Sequence, residues 1–327
     1  MDKVRWGLLS TARISRRVIP AIQAAARGDL VAVASRRMRT AKSYAKRWEI
    51  PQVFGSYEAM LESDAVDAVY IPLPNHLHAE WSIKAMQAGK HVLCEKPFAT
   101  TVDEVDQMIA ASQDTQRVLM EAFMYLHHPQ TKLVGEFVGA GRLGEVTLVR
   151  GVFNFFLARP KDIRLVPEYG GGSLWDVGVY PLSFAQYIMG EPPEWVFGDR
   201  RVGRSGVDLT FAGQLHYSGN RLAQISSSFQ SPFHTRFEIL GIKGRLLVTR
   251  PFTGVEDGKV LYAPEEGDVQ EISVPQKELY LGQVEDMHAA ILDGKPTTLS
   301  LEETRDHIRT VLALYASAES GERVSLS

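Results

Sequence analysis

The sequence contains little cysteine, no long apolar run and no excess of positive charge. Its 327 residues include one cysteine, Cys94, which excludes an internal disulfide and a zinc site built from several cysteines. No apolar segment reaches the roughly 18 residues that a membrane-spanning helix requires. The formal net charge of −3 gives no basic footprint for nucleic acid. We therefore expect neither a membrane nor a nucleic-acid partner.

The cellular location is predicted from the same features. The first residues, MDKVRWGLLSTARIS, turn polar too early for a signal peptide. A single cysteine also suits a reducing compartment. We expect a cytoplasmic protein.

The hydrophobic pattern changes near residue 125, which predicts two domains. Before that point, short apolar runs such as Val4–Leu9 alternate with helix-like segments such as Ile14–Ala26, a pattern typical of βαβ units. After it, strand-like runs follow one another with few helices between them, which favours a mainly antiparallel sheet. We predict an α/β chain with a doubly wound parallel sheet in residues 1–124 and an α+β domain with a large open sheet in residues 125–327. Packing of the last helix back onto the first domain stays open.

The turn after the first strand has small residues where a dinucleotide-binding fold has the glycines of G-x-G-x-x-G. The three positions hold Ser10, Ala12 and Ser15. Small side chains preserve most of the space for a pyrophosphate, although a positive φ costs serine more than glycine. An ordinary βα turn is the alternative, but the helix N-terminus still offers N–H groups to an anion. The cofactor-binding residues predicted here are Ser10, Thr11, Ala12, Arg13 and Ile14.

The second strand ends in Ser35-Arg36-Arg37, near the offset at which an NAD-binding fold places an acidic residue for the ribose hydroxyl. A guanidinium group suits a 2′-phosphate instead. The segment predicts NADP as the cofactor, with NAD less favoured, and a solvated basic loop is the alternative.

A lysine follows the apolar strand His91–Cys94, in Glu95-Lys96-Pro97. Ligands bind at the carboxyl edge of a parallel sheet, where this lysine would lie. Pro97 restricts the backbone of Lys96 and permits a cis bond. A surface lysine at a strand exit is the alternative. The preceding strand end adds further predicted cofactor residues, so that this edge contributes Pro72, Asn75, His78, Glu95 and Lys96.

A glycine-rich segment, YGGGSLWDVGVY, spans residues 169–180 in the second half. Its glycines let the backbone bend or approach a ligand. Asp176 and Tyr180 are four residues apart, so on a helix they share a face.

Together these segments resemble the glucose–fructose oxidoreductase / inositol dehydrogenase / rhizopine-catabolism (Gfo/Idh/MocA) family over essentially the whole chain. They look most like its dihydrodiol dehydrogenase and D-xylose dehydrogenase branch. The segments that carry the resemblance are Pro74-Asn75-x-x-His78, Glu95-Lys96-Pro97, Glu121-Ala-Phe123-Met-Tyr125-Leu-His127-His128-Pro129, Gly170-Gly-Gly-x-x-x-Asp176-x-Gly178-x-Tyr180 and Trp6-Gly-Leu-Leu-Ser-Thr-Ala12-Arg.

The resemblance implies an N-terminal Rossmann domain, a C-terminal domain whose sheet often forms a homodimer, and hydride transfer between a nicotinamide and a carbinol. It also implies Lys96 and Tyr180 as the catalytic pair, with Asp176 nearby. A free tyrosine has a pKa near 10, and a neighbouring ammonium group favours its phenolate. We prefer Tyr180 as acid/base and Lys96 as its electrostatic partner, and the reverse assignment stays open.

Further residues are predicted to bind the substrate because they flank the domain junction or the glycine-rich segment. Each has a structural alternative, such as a surface or core role. We expect no metal site, because His76 and His78 lack a convincing third ligand. The substrate-binding residues predicted are Lys96, Glu121, Phe123, Tyr125, Asn154, Arg159, Asp176 and Tyr180.

The leading functional hypothesis is an NADP-dependent dehydrogenase of a sugar such as D-xylose. Oxidation of a trans-dihydrodiol or reduction of a ketosugar or anhydrosugar are alternatives with the same architecture. A cofactor-binding sensor without turnover is an alternative of another class. A small-molecule polyol or sugar is the expected partner in the enzymatic readings.

Overall fold

A computed structural model of the chain describes residues 2–326. The chain forms two compact units, one of Met1–His127 with Glu278–Arg305 and the other of His128–Lys277 with Asp306–Ser327. These units are defined by contacts and each combines two stretches of chain. The domain boundary between residues 124 and 125 and the packing of the last helix therefore stay predictions.

The first unit contains a six-stranded sheet in which every neighbouring pair is parallel. The strand order is β3-β2-β1-β4-β5-β6. Its central strands are continuous apolar runs, as expected of strands covered on both faces. The strands are β1 (Val4–Leu9), β2 (Gly28–Ala34), β3 (Gln52–Phe54), β4 (Ala68–Ile71), β5 (His91–Glu95) and β6 (Leu119–Ala122).

Helices connect these strands, as the alternating pattern predicts. The capping box at Thr101 and Glu104 is confirmed, because each side chain accepts a hydrogen bond from the other's backbone N–H. The short elements β3 and α3 are absent from the sequence-based prediction, since three and five residues are too few to show a period. The helices are α1 (Ser15–Ala24), α2 (Met38–Trp48), α3 (Tyr57–Leu61), α4 (His78–Gln87) and α5 (Val102–Thr115).

The second unit contains a nine-stranded sheet of order β14-β13-β12-β11-β7-β10-β9-β8-β15. The central pair β7 and β10 is parallel, and the other neighbouring pairs are antiparallel. The predicted fold class is thereby confirmed for both halves. The strands are β7 (Val146–Asn154), β8 (Trp195–Val202), β9 (Asp208–Tyr217), β10 (Arg221–Ser228), β11 (His234–Gly241), β12 (Gly244–Val248), β13 (Val260–Pro264), β14 (Gln270–Ile272) and β15 (Val324–Ser325).

One face of this sheet is covered by a helix that begins with a π-helical turn, Leu174–Gly178. The helix packs so close to β7 that a Cβ atom at Gly151 would be only 2.5 Å from Cβ of Pro181. The absence of a side chain at Gly151 permits this approach. The sequence predicts a single helix over 176–189, and the structure starts earlier and with wider turns. The remaining helices are α6 (Pro129–Gly139), α7 (Val179–Met189), α8 (Leu281–Asp293) and α9 (Leu301–Ser320).

No helix within residues 2–326 combines the length and apolar character needed to cross a membrane. The cytoplasmic location stays a prediction.

Candidate active site

The turns after β1 and β4 lie side by side in the first unit. These strands are neighbours in the sheet although β2 and β3 separate them in the chain. Such a reversal of strand order is where doubly wound sheets bind ligands. Ser10 Oγ lies 3.5 Å from the carbonyl oxygen of Pro72, so both turns predicted to bind the cofactor meet at this point.

The turn after β1 has the backbone shape that glycine usually supplies. Ser10 has a φ of 144°, and the Ala12 N–H donates to its Oγ at 3.3 Å. Helix α1 follows with Ile14 at its N-cap, a residue with no polar side chain to accept the first N–H groups. Thr11, Ala12 and Ile14 are half-buried and Arg13 is exposed. The N–H groups of Ser15, Arg16 and Arg17 donate to the carbonyl oxygens of Ala12, Arg13 and Ile14. It is therefore the positive end of the helix dipole that suits a phosphate or pyrophosphate here.

The end of β2 presents two guanidinium groups. Ser35 is buried and its N–H donates to the Phe54 carbonyl, whereas Arg36 and Arg37 are exposed. Arg37 is the N-cap residue of α2, so both charges lie at a helix N-terminus. This donor set fits a 2′-phosphate better than a free ribose hydroxyl.

The turn after β5 carries Lys96, and the Lys96–Pro97 peptide bond is cis. The preceding Glu95 accepts a hydrogen bond from the hydroxyl of Tyr70, a buried residue of β4. Asn75 lies in a short 3-10 turn before α4 and is half-buried. In strand order, Lys96 is therefore two strands away from the turn at Ser10 and on the same edge of the sheet.

His78 is fully buried at the start of α4. Its Nδ1 lies 2.8 Å from the carbonyl oxygen of Pro97, and its Nε2 lies 2.8 Å from that of Leu73. Burial lowers the pKa of the ring, while the two carbonyls act in the opposite direction. The predicted contact of His78 with the cofactor stays a prediction, because both ring nitrogens face protein carbonyls.

Glu121, Phe123 and Tyr125 are all buried in the first unit, with side chains at most 1% exposed. Glu121 Oε1 accepts the Phe98 N–H at 2.9 Å. Burial raises the pKa of Glu121 to about 8, so the side chain is mostly a neutral acid at pH 7. The rings of Phe123 and Tyr125 pack edge to face with centroids 6.0 Å apart. Their predicted substrate contacts stay predictions.

In the second unit, Asp176 lies in the π-helical turn and forms an ion pair with Arg164. Arg164 Nε donates to Asp176 Oδ2 at 2.6 Å, and its Nη1 lies 3.2 Å from Asp162 Oδ1. The charge of Asp176 raises the pKa of Arg164. π-Helical turns are frequent at functional sites, and this one presents a carboxylate whose direction is fixed by an arginine.

Tyr180 lies in the first turn of α7, in an aromatic environment. Its ring centroid is 5.4 Å from that of Phe153 and 5.6 Å from that of Phe252. On β7, Oδ1 of Asn154 is buried and has no hydrogen-bond partner among residues 2–326, whereas Arg159 is exposed. The second unit thus gathers a tyrosine and a paired carboxylate in the helix that covers one face of its sheet. Asn154 alternates with Phe153 along β7 and points to the other face, so its predicted substrate contact, like that of Arg159, stays a prediction.

A buried polar network holds the glycine-rich segment. Asp208 Oδ2 accepts the Ser173 hydroxyl at 2.7 Å and the Leu174 N–H at 2.9 Å, and its Oδ1 accepts the Tyr315 hydroxyl at 2.6 Å. Gly172, with a φ of 129°, lies so close that a Cβ atom there would be 2.1 Å from Asp208 Oδ1. Burial raises the pKa of Asp208. No local sequence pattern indicates Asp208 or Tyr315, because they lie in a strand and a helix that are distant in the chain from the glycine-rich segment.

Within residues 2–326, no group of three or more histidine, cysteine or acidic side chains is arranged to hold a metal ion. Cys94 is fully buried, as predicted for a core residue.

Comparisons with known proteins match both halves of the chain. A family model described as "Oxidoreductase family, NAD-binding Rossmann fold" matches residues 4–123. A second model, "GFO/IDH/MocA C-terminal domain", matches residues 131–247. The D-xylose 1-dehydrogenase (NADP(+)) 2 of Haloferax volcanii is 38% identical over 325 residues, which cover 98% of this chain and 99% of the relative.

Solved structures agree with these matches. An aldose-aldose oxidoreductase from Caulobacter crescentus complexed with glycerol has a TM-score of 0.93 at 28% identity, covering 99% of this chain and 100% of that one. A 3-ketoreductase from Actinomadura kijaniata, in complex with NADP and TDP-benzene, has a TM-score of 0.90 at 32% identity, covering 96% and 98%. Structures of the same ketoreductase include variants with a tyrosine replaced by phenylalanine and with a lysine replaced by alanine or glutamate.

Both family models and a relative matched over nearly the whole chain confirm the resemblance that the sequence motifs indicate. They also confirm that the chain is an enzyme of the oxidoreductase class with a nicotinamide-nucleotide domain. The chain belongs to the Gfo/Idh/MocA family of oxidoreductases.

Proposed function

We propose that this protein is an NADP-dependent dehydrogenase that oxidises a carbinol of a sugar, with an aldose such as D-xylose as the first substrate to test. The observation that carries the proposal is the position of Lys96, which follows the last residue of β5 on the sheet edge that also holds the turn at Ser10. A cation at this edge suits a reacting oxygen, and the helix N-terminus suits a dinucleotide. The name of the Haloferax volcanii relative supports both parts of the proposal.

The cofactor residues of the first unit fit NADP by their chemistry. The pyrophosphate would lie at the positive end of the α1 dipole, and Arg36 and Arg37 would pair with the 2′-phosphate. When bound, NADP supplies hydride transfer. The NADP complex of the ketoreductase is consistent with this choice.

In this mechanism, the protein's own side chains remove the proton of the substrate hydroxyl. Tyr180 accepts it as general base, and the Lys96 ammonium group stabilises the developing alkoxide and favours the phenolate. Asp176, oriented by Arg164, accepts a hydrogen bond from a neighbouring substrate hydroxyl. In the ketoreductase, a tyrosine and a lysine were each replaced in variants whose structures are known, which is consistent with a functional role for these two residue types.

A Tyr180→Phe variant tests the assignment of the proton acceptor. The ring and its packing on Phe153 and Phe252 are preserved, so the loss is confined to the hydroxyl. We expect kcat to fall by about 10²-fold or more with little change in the binding of NADPH. Near-normal kcat would remove Tyr180 from the proton transfer and favour Lys96.

Two other substrate classes use the same residues. A trans-dihydrodiol would be oxidised in the same direction, and a ketosugar or anhydrosugar would be reduced with NADPH. The ketoreductase supports the second class. A non-catalytic NADP sensor would bind the cofactor without any redox change.

The decisive experiment is nicotinamide absorbance at 340 nm, a wavelength set by the reduced cofactor. Purified protein would be tested with NADP⁺ and NAD⁺ against aldoses, cyclitols and trans-dihydrodiols, and with NADPH against ketosugars. Turnover of an aldose with NADP⁺ supports the proposal. Turnover of another class alone reassigns the substrate, and tight NADPH binding without turnover of any substrate supports the sensor.

We also propose a homodimer, or a higher homo-oligomer, formed through the open sheet of the second unit. Along β7, the side chains that alternate with the buried Val149, Gly151 and Phe153 point to the opposite face. That face carries half-buried apolar side chains such as Leu148 and Leu222, which are register partners. Sheet faces of this kind suit an isologous contact. Gel filtration with light scattering should give at least twice the monomer mass, and a concentration-independent monomer would refute the dimer.

A further inference from the structure

One peptide group in the first unit is held on both sides by buried polar side chains. The carbonyl oxygen of Pro97 lies 2.8 Å from Nδ1 of His78, and the N–H of Phe98 donates to Oε1 of Glu121 at 2.9 Å. These two groups belong to the same peptide unit, the one that joins Pro97 to Phe98. It is the second peptide group after Lys96, beyond the cis Lys96–Pro97 bond, so its orientation affects the path of the chain as it leaves the lysine.

Both side chains come from regular elements rather than from loops. His78 is the first residue of α4, and Glu121 lies on β6 directly opposite Cys94 of β5. His78 Nε2 lies 2.8 Å from the Leu73 carbonyl in the turn after β4. Burial favours the neutral ring, which has one N–H, so His78 donates to the Pro97 carbonyl in the tautomer protonated at Nδ1. The arrangement therefore ties the turn at Lys96 to the ends of β4 and β6. Sites supported by rigid elements hold their geometry more accurately than sites on loops.

Burial makes these polar side chains costly, which calls for a reason beyond packing. His78 is 0% exposed and Glu121 is 1% exposed, and apolar side chains would fill such positions without desolvating polar groups. With its pKa raised to about 8, Glu121 is mostly neutral at pH 7. A neutral carboxyl still accepts the Phe98 N–H through its carbonyl oxygen. Its role is then that of a hydrogen-bond acceptor more than of a counter-ion.

We propose that His78 and Glu121 act together as a peptide clamp that positions Lys96 for the reaction. Neither is a catalytic residue, since each acts through the Pro97–Phe98 peptide group. The inference rests on the proposed function, in which Lys96 stabilises the reacting oxygen. It gives Glu121 and His78 a role that differs from direct contact with substrate or cofactor.

Three variants separate a positioning role from core packing. Glu121→Gln keeps the side-chain length, the neutral charge and a carbonyl acceptor for Phe98. Glu121→Leu keeps a similar volume and removes the acceptor. Met120→Ala is the matched control, because Met120 is fully buried on the adjacent position of β6 and its side chain points to the other face of the sheet.

Amide hydrogen exchange of Phe98 measures the clamp without any turnover. We expect slow exchange in the wild type, Glu121→Gln and Met120→Ala, and exchange at least about tenfold faster in Glu121→Leu because its donor has lost its acceptor. Equal exchange in wild type and Glu121→Leu, in protein shown to be folded by circular dichroism, would overturn the clamp.

Turnover measures the consequence for Lys96. With the best substrate from the absorbance assay, we expect Glu121→Leu to lower kcat by about 10- to 100-fold, the scale of a misplaced catalytic group, while KM for NADP changes by less than about threefold. Glu121→Gln should restore kcat to within about threefold of the wild type. Met120→Ala should lose stability without losing kcat. A folded Glu121→Leu variant with wild-type kcat would overturn the positioning role.

Failure of the proposed function would look different. If the wild type turns over no substrate, the rate of acylation of Lys96 by acetic anhydride, measured by mass spectrometry relative to the exposed Lys84, replaces kcat as the readout. A changed rate in Glu121→Leu, together with faster exchange at Phe98, still supports the clamp. An unchanged rate refutes it.

Discussion

At the scale of single residues, the proposed preference for NADP depends on two exposed arginines after β2. Arg36 and Arg37 lie at the N-terminus of α2, where a guanidinium group and the helix dipole favour the same anion. A ribose hydroxyl would profit from neither. In the proposed site, two guanidinium groups therefore decide the preference for NADP over NAD.

Replacement of Arg36 or Arg37 by alanine tests this preference. Loss of one charge-assisted contact, about 1.5–3 kcal/mol, should raise KM for NADP by roughly 10-fold or more and leave KM for NAD nearly unchanged. Arg39→Ala is the control, because Arg39 is exposed in the same helix and lies further from the N-cap. Steady-state kinetics with both cofactors give the ratio, and an unchanged ratio in both variants would contradict the assignment.

Ser10 lies in the turn between β1 and α1, which is the second part of the proposed cofactor site. Its φ of 144° lies in the region that favours glycine, so the backbone of Ser10 is strained. The sequence shows that a serine stands at a glycine position, but only the structure shows that its φ is positive. Its hydroxyl bridges Pro72 and the Ala12 N–H with long hydrogen bonds of 3.5 and 3.3 Å. The strain and the hydroxyl contacts act in opposite directions.

Substitution of Ser10 by glycine and by alanine separates the two effects. Ser10→Gly relieves the backbone and should raise the free energy of unfolding by up to about 1 kcal/mol, since long hydrogen bonds contribute little. Ser10→Ala retains the strain and loses the hydroxyl, so it should be less stable than the wild type. Urea titration measures both. Equal stability of the glycine and alanine variants would show that the positive φ costs nothing here.

At the scale of elements, the helix that bears Asp176 and Tyr180 is fixed at its start by Asp208. Three donors converge on one buried carboxylate, two of them from Ser173 and Leu174 at the beginning of the π-helical turn. A carboxylate at a helix N-terminus also matches the helix dipole. The direction of the helix therefore depends on a residue that begins β9, far away in the sequence.

Asp208→Asn replaces one acceptor oxygen by an amide group that donates. At least one of the three donors then loses its partner in a buried site, which should lower the free energy of unfolding by about 2–4 kcal/mol and reduce kcat. Tyr315→Phe removes one donor and should cost about 1–2 kcal/mol.

Tyr217→Phe provides the matched control in thermal and urea unfolding. The Tyr217 ring is fully buried, and its hydroxyl has no hydrogen-bond partner among residues 2–326. Its removal should leave stability nearly unchanged. If Asp208→Asn were as stable as Tyr217→Phe, the network around Asp208 would not hold the helix.

At the scale of the whole molecule, buried titratable groups set the pH dependence of stability. Burial lowers the pKa values of His91 and His288 to about 4, so the unfolded chain binds their protons first on acidification. Their contribution to stability is therefore lost as the pH falls from about 6.5 towards 4. Glu121 has the opposite sign, because its pKa rises from 4.5 to about 8 on folding and the folded chain retains the proton.

Stability should accordingly pass through a maximum at mildly acidic to neutral pH. The contribution of Glu121 is fully present below about pH 4.5 and is lost as the pH rises through about 8, which amounts to a few kcal/mol. Two neighbouring charges also affect the pKa of Glu121: the Glu95 carboxylate raises it and the Lys96 ammonium group lowers it. A charge on Glu121 would in turn raise the pKa of Cys94.

Glu121→Gln should remove the alkaline part of this dependence and preserve the acidic part. Thermal unfolding midpoints from pH 5 to 9 compare the variant with the wild type, and Glu136→Gln on α6 controls for the loss of an exposed carboxylate. Parallel pH curves for the wild type and Glu121→Gln would show that Glu121 is ionised in the folded protein.

The sequence by itself determined the parallel sheet, the antiparallel second half and the family. Periodicity and strand-end motifs are local properties, so the strand predicted at Val4–Leu9 agrees with the structure at both ends. The absence of glycine at Ser10 and the arginine pair after β2 were equally visible, because they are choices of side chain. Short elements such as β3 could not be predicted from the sequence, since a run of three residues is too short to show a hydrophobic period.

Only the tertiary structure decided how the functional residues are supported. The partners of the Pro97–Phe98 peptide group and of the glycine-rich segment come from His78, Glu121, Asp208 and Tyr315, and hydrogen bonds between residues so distant in sequence leave no local pattern. Tertiary packing also decided that Glu121 is buried and mostly neutral at pH 7, because the pKa of a carboxyl depends on its surroundings rather than on its neighbours in the chain.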